Sequence, residues 1–215
     1  MKQLRKGVLI AIEGIDGSGK STLASNLEKA LTHESWQVLL TREPGDSPLG
    51  AHIRTLLHDA TISKTPKAEF LLFAADRAQH INTVVLPALA RNEIVISDRM
   101  ADSSVVYQGY ARGLDIKMIQ GINSWAMEDR EPDIIFYIRI SADFAYERLI
   151  MRNLPLTSFE QESKAFFQRL IEGFDLVMDA KQNAYTLDGT YTPEQLSTQA
   201  TEIIRSWIYN KKLNQ

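Results

Sequence analysis

Short apolar runs alternate along this chain with longer windows in which apolar residues recur every three or four positions. Residues 8–12 (VLIAI) read as a buried strand and are followed at once by a glycine-rich turn. From residue 20 to about 32, Leu23, Leu27, Ala30 and Leu31 share one face, which predicts a helix. Residues 37–41 form a second strand, stopped by Pro44-Gly45. A helix is expected over 48–58, with proline suited to its first turn. A longer one follows over 66–91, bent or broken at Pro87. Residues 93–97 and 133–140 supply a third and fourth strand, 184–188 a fifth, and 193–209 a closing helix. Residues 116–127 read as a buried helix. Strands separated by helices need parallel crossovers, so the expected class is α/β, a parallel five-stranded sheet covered by helices on both faces.

Length and composition narrow the class further. At 215 residues, one domain with a short insertion is expected rather than two. The polar stretch 151–162 interrupts two helical windows with Asn153, Pro155 and Thr157-Ser158, and suggests a lid at about 148–162. With no cysteine, disulfide frameworks, thiolate metal sites and cysteine nucleophiles are excluded. The 24 Lys+Arg against 27 Asp+Glu leave a net charge of −3, without the basic excess of a nucleic-acid binder. The first apolar run stops at Glu13, too short for a signal sequence or a membrane span, so a soluble cytoplasmic protein with no membrane partner is expected. The four histidines have no metal-binding spacing and read as surface or core fillers; Trp36, Trp125 and Trp207 read as core or interface anchors.

The chemistry begins in the first turn. Gly14-Ile15-Asp16-Gly17-Ser18-Gly19-Lys20-Ser21 fits the phosphate-loop pattern G-x-x-x-x-G-K-[ST], between a strand and a helix as the motif requires. Glycines let backbone N–H groups turn inward around phosphate oxygens, and the helix N-terminus adds positive partial charge, with Thr22 in the same turn. Lys20 can reach the β- and γ-phosphates, and Ser21 can ligate Mg²⁺. No guanine-reading Asn-Lys-x-Asp is present, and Asp98-Arg99-Met100-Ala101 stands where a GTPase needs Asp-x-x-Gly. A small kinase with a phosphate-bearing second substrate remains. Charged residues at the strand ends fit that reading: Arg42 and Glu43, then Asp98 and Arg99, with Asp76-Arg77 set in an apolar helix.

The segments Thr41-Arg-Glu-Pro-Gly45 with Pro48-Leu-Gly50, Phe73-Ala-Ala-Asp-Arg-Ala-Gln-His80, and Ser97-Asp-Arg99 with Asp102-Ser-Ser-Val-Val-Tyr-Gln-Gly-Tyr110 together resemble the thymidylate kinase family. The likeness runs in order over nearly the whole chain. It implies a P-loop kinase fold, transfer of the ATP γ-phosphoryl group to dTMP with Mg²⁺, and a homodimer. It further implies that Asp16 faces the deoxyribose 3′-OH and that Arg42, with Glu43 nearby, holds the acceptor phosphate. Phe73 would stack on thymine, Arg77 would donate to its O4, Ser104 would read the N3 edge, and Gln108 would support the pocket. Tyr107 would sit against C2′. Asp98 would organise the metal or its waters, and Arg99 would bridge the two phosphates.

Two departures from the family pattern stand out. The P-loop carries no arginine, so arginines are expected in the lid; yet Thr157-Ser158 stands where Asp-Arg usually precedes Phe159-Glu160. Arg148 and Arg152, four apart on one helix face, become the candidates for transition-state charge, with Arg169 in the next helix. Met100 replaces the usual aromatic after Asp98-Arg99. The alternatives are a related nucleoside-monophosphate kinase with another base preference, or a nucleotide-binding regulator with a weakened lid.

Overall fold

Five strands, Val8–Glu13 (β1), Val38–Arg42 (β2), Ile94–Asp98 (β3), Ile134–Arg139 (β4) and Ala184–Asp188 (β5), pair in the order β2-β3-β1-β4-β5. Every pairing is parallel. The computed structural model describes residues 4–153, 155 and 157–213. Alternate residues of each strand serve opposite faces. On one face Ile10, Ile12, Ile96 and Phe136 meet Leu23 and Leu27 of Lys20–His33 (α1), with Ala200 and Ile204 of Pro193–Leu213 (α9). On the other, Leu9, Val95 and Tyr137 meet Val85, Val106, Leu170 and Phe174. The expected three-layer α/β architecture is the observed one.

The chain leaves β1 toward the β2 edge, returns through β3, and then crosses β1 to β4. The loop after β1 therefore opens at the point where the winding reverses, where such sheets form a crevice. The register carries Asp98 beside both Ile12 and Arg42, so the charged strand ends share one rim.

Helix Pro48–His58 (α2) starts where Ser47 Oγ accepts from the Gly50 N–H, and Pro66–His80 (α3) where Thr65 accepts from Ala68. The helix expected over 66–91 is broken into three pieces. After α3, residues Ile81–Val85 form a π-helical turn before Leu86–Ala90 (α4). Pro87 explains it: the ring has no N–H and crowds the carbonyl four residues back, so the backbone widens one turn earlier. A second π turn, Val105–Ala111, follows Ala101–Ser104 (α5), with Arg112 N–H bonding to the Tyr107 carbonyl at 3.1 Å.

Ile116–Ala126 (α6) differs from the fully buried helix its sequence suggests. Only Ile119, Asn123 and Ala126 are buried, because the helix packs with one face on α3 and the second π turn; Met118 and Trp125 are exposed. Ala142–Met151 (α7) and Lys164–Asp179 (α8) flank the polar stretch. Residues 148–151 are thus the last turn of a helix, and the irregular connection runs over 152–163, in which Leu154 and Leu156 lie outside the described residues. Among the described residues no helix is long and apolar enough to cross a membrane.

Candidate active site

One cleft of about 910 Å³ opens along the carboxyl rim of the sheet, and the glycine-rich turn forms its floor. Gly17 has φ +81°, and a Cβ there would lie 2.5 Å from the Ala145 carbonyl oxygen, so any side chain would push α7 off the loop. Gly19, at φ +100°, caps α1 in the left-handed region. The turn's chemistry converges on Lys20, whose ammonium donates to the Ile15 carbonyl at 2.7 Å. Burial and the neighbouring Arg99 charge depress Lys20 to about 8. Ser21 Oγ donates to Asp98 Oδ2 at 2.5 Å; Thr22 lines the same wall.

The rim fits a small hard cation. Asp98 Oδ1 and Ser18 Oγ are buried without a hydrogen-bond partner among the described residues. No group of three or more metal-ligating side chains exists there either. One carboxylate and one hydroxyl are the donor set expected for Mg²⁺, which keeps waters and takes phosphate oxygens for its other positions.

Arg99 joins the floor to the opposite wall. It holds φ +73°, a costly conformation for a non-glycine residue, between Asp98 and Met100. Its Nη1 donates to the Gly14 carbonyl and to Ser103 Oγ, both at 3.0 Å; its Nη2 donates to Asp16 Oδ1 at 2.6 Å and to Tyr107 Oη at 3.2 Å. Tyr107 Oη donates in turn to Asp16 Oδ2 at 2.9 Å. Burial alone would raise Asp16, but Arg99 and Lys20 outweigh it and draw the carboxyl down to about 2. Underneath lies Glu13, fully enclosed, accepting from Met100 N–H at 2.9 Å and from Ser103 Oγ at 2.6 Å. Burial, with Asp102 nearby, raises Glu13 to about 7.

At the far end Arg77 is almost wholly enclosed. Nε donates to Glu43 Oε2 at 2.8 Å, and Nη1 donates to Asn123 Oδ1 at 2.8 Å and Ser104 Oγ at 3.3 Å. Gln108 Nε2 donates to Glu69 Oε1 at 2.9 Å, which also accepts from Arg112 Nε at 2.8 Å. Phe73 forms one side of the cleft, facing Phe159 of the connection with ring centroids 5.9 Å apart.

The cations of the upper wall are held more loosely. Arg42 is half exposed and pairs with Asp46 at 3.0 Å. Arg148 reaches the floor, Nη1 donating to the Ser18 carbonyl at 3.2 Å, with its guanidinium 4.6 Å above the Phe144 ring. Arg152 Nη2 donates to Glu160 Oε2 at 2.9 Å. Both line the cleft, whereas Arg169 lies on α8 against Phe166 and does not. Buried Met100 accepts the place of the missing aromatic in the core beneath.

The thymidylate kinase family model matches residues 12–200. The chain belongs to the thymidylate kinase family. A thymidylate kinase of Halothermothrix orenii is 46% identical over 143 residues, covering 66% of this chain and 69% of its own length. Those of Nitratidesulfovibrio vulgaris and Thermosipho africanus are 38% and 36% identical, covering 93% and 94% of this chain and 96% and 99% of their own. The protein is therefore a kinase of the P-loop class that phosphorylates dTMP.

Against that family reading, several cleft residues have no counterpart in the sequence-based expectations. Arg54, on α2, lines the cleft and donates to the Pro44 carbonyl at 2.7 Å; a single arginine in a mixed helix carries no local signal. His58 and Phe159 also face the cleft, their rings 6.4 Å apart. Glu13 had one legible clue, a carboxylate ending an otherwise apolar strand. His80 is more than a filler: it is fully buried with both ring nitrogens engaged.

Proposed function

We propose that this thymidylate kinase works by aligning ATP over the glycine-rich floor and dTMP toward Arg77, with in-line phosphoryl transfer between them. The observation that supports it most is the gradient within one cleft: Lys20 and Arg99 at the floor, a buried donor-rich arginine at the far end. Phosphoryl transfer needs little covalent chemistry and much charge alignment. Gly14 to Thr22 would bind the donor triphosphate, with Lys20 against its outer phosphates. Arg99, held by Asp16, Tyr107 and Ser103, would bridge donor and acceptor. Arg42, beside Glu43 and joined by Arg54, would take the acceptor phosphate. Asp16 and Tyr107 would face the sugar. Phe73 would stack on the pyrimidine, with Arg77, Ser104 and Gln108 reading or supporting its edge.

Ser21 and Asp98 would hold Mg²⁺, which when bound offsets the charge of the phosphate oxygens. Arg148 and Arg152 would supply transition-state charge, since the loop has no arginine of its own; the 152–163 connection would act as a lid on a single domain. Family grounds also favour a cytoplasmic homodimer. Leu71 on α3 with Met118 and Trp125 on α6 leave apolar side chains exposed on two helices that pack together, a surface suited to a second copy.

A coupled ADP-release assay with dTMP, dUMP, dCMP, dGMP and UMP tests the reaction. Fastest turnover with dTMP is expected; ATP binding without turnover of any acceptor overturns the reading. Light scattering should give twice the chain mass, falling to one chain mass on Trp125→Lys.

A further inference from the structure

The arginine at the far end of the cleft is held by a chain of side chains that runs from Thr41 through His80 and Glu43. Thr41 stands at the end of β2, Glu43 in the loop beyond it, and Arg77 and His80 one turn apart on α3. His80 is 0% exposed, and Arg77 1%. A guanidinium so enclosed needs a carboxylate and well-placed acceptors, or its desolvation is uncompensated. Glu43 gives Oε2 to Arg77, while Asn123 and Ser104 take Nη1. The Nη2 donors are those left for a ligand in the cleft.

The second Glu43 oxygen is where His80 enters. Oε1 lies 3.0 Å from His80 Nδ1, and His80 Nε2 lies 2.7 Å from Thr41 Oγ1. Burial would raise the Glu43 carboxyl, but Arg77 and the His80 hydrogen bond hold it below its ordinary range, so it is ionised and has no proton to share. Nδ1 must therefore be the donor. Nε2, on the far side of the ring, meets the Thr41 hydroxyl and fixes the ring's orientation, so that Nδ1 points at Glu43. Without His80, Oε1 would be a buried carboxylate oxygen lacking its donor, free to turn and carry the Arg77 plane with it.

We propose that His80 is a positioning residue for the acceptor base: through Glu43 it fixes the plane in which Arg77 presents its remaining donors. This rests on the reading that dTMP lies toward Arg77. Aiming a donor at a base edge is binding shared by ground and transition states, so its loss falls on KM rather than kcat. It also sharpens choice, because a guanidinium locked as donor suits a carbonyl at that edge and not an amino group.

The test uses the full-length enzyme, and turnover of dTMP by the unaltered protein comes first; failure there sinks the reaction, not this role. In His80→Leu, KM for dTMP should rise about tenfold or more, with kcat and KM for ATP within about twofold. The preference for dTMP over dCMP should shrink. His80→Gln, whose amide can still donate to Glu43, should recover most of the loss. In the unaltered protein, nitrogen-15 spectra of the histidines should show one ring protonated at Nδ1, a signature lost in His80→Gln; this arm does not depend on the leucine variant folding. An unchanged dTMP KM in folded His80→Leu, an equal loss in kcat and ATP KM, or a His80 proton found only on Nε2 overturns the proposal.

Discussion

The floor of the cleft and the connection above it solve the same electrostatic problem in opposite ways. On the floor, Glu13 and Lys20 are buried and Asp16 and Arg99 mostly covered; Glu13, Asp16 and Arg99 are each held by two or more bonds and Lys20 by the Ile15 carbonyl, and all four acidities are displaced from ordinary values. Above it, Arg152 at the start of the connection is 40% exposed and rests on a single carboxylate, and Arg148 in the last turn of α7 rests on one carbonyl and one ring. The floor is organised before any substrate arrives, which is where fixed dipoles and charges are most effective. The upper charges are cheap to hold and free to move, which suits groups needed only when the cleft is closed.

That contrast can be broken by measurement. The largest effect belongs to Lys20: Lys20→Met should lower kcat on the order of 10³-fold in the ADP-release assay, with the circular dichroism spectrum unchanged. Next comes Glu13. Its carboxyl is raised from an ordinary 4.5 to about 7, so ionising it costs the native state. Stability should then fall as pH rises from 4.5 through 7, by up to about 3 kcal/mol, and be level above that. Urea midpoints for Glu13→Gln should fall less steeply across this window, keeping the part due to Asp76, which burial raises to about 6; a wild-type midpoint that climbs across the same window refutes it. Arg148→Ala should reduce kcat by about 100-fold, since it reaches the P-loop carbonyl. Arg152→Ala should lose about tenfold, and less than that removes it from the transition state. Should Arg152 prove as costly as Lys20, the division between built floor and light cover would fail.

Local order was legible and long-range order was not. Strand 8–12 was readable because every residue there is apolar, strand 93–97 because Ile94-Val95-Ile96 forms an apolar β-branched run, and the P-loop because its eight consecutive residues carry the whole device. The break at Ile81–Val85 was half readable: Pro87 announced a disturbance, but its form as a π turn depends on how the helix continues. Glu13, Arg54 and His80 were not readable in the same way. Glu13 acquires its meaning from Met100 and Ser103, some ninety residues away, and His80 from Thr41 and Glu43. A charged or polar residue in isolation has a side chain but no partner, and only the fold supplies one. Family likeness filled part of that gap, because its motifs imply partners for their residues, yet it was silent about Arg54.

The π turn at Val105–Ala111 has a consequence of its own. It amounts to one surplus residue in the helical count, and each residue advances a helix by about 100°. Upstream of it sit Asp102 and Ser103; within it are Tyr107 and Gln108; Arg112 closes it. Removing a single residue there would return the segment to ordinary α-helix and set the two halves out of phase, so that Tyr107 and Arg112 could not both keep Asp16 and Glu69. The acceptor wall is thus specified by reading frame as much as by residue type. A deletion should be far more damaging at this turn than any conservative exchange within it.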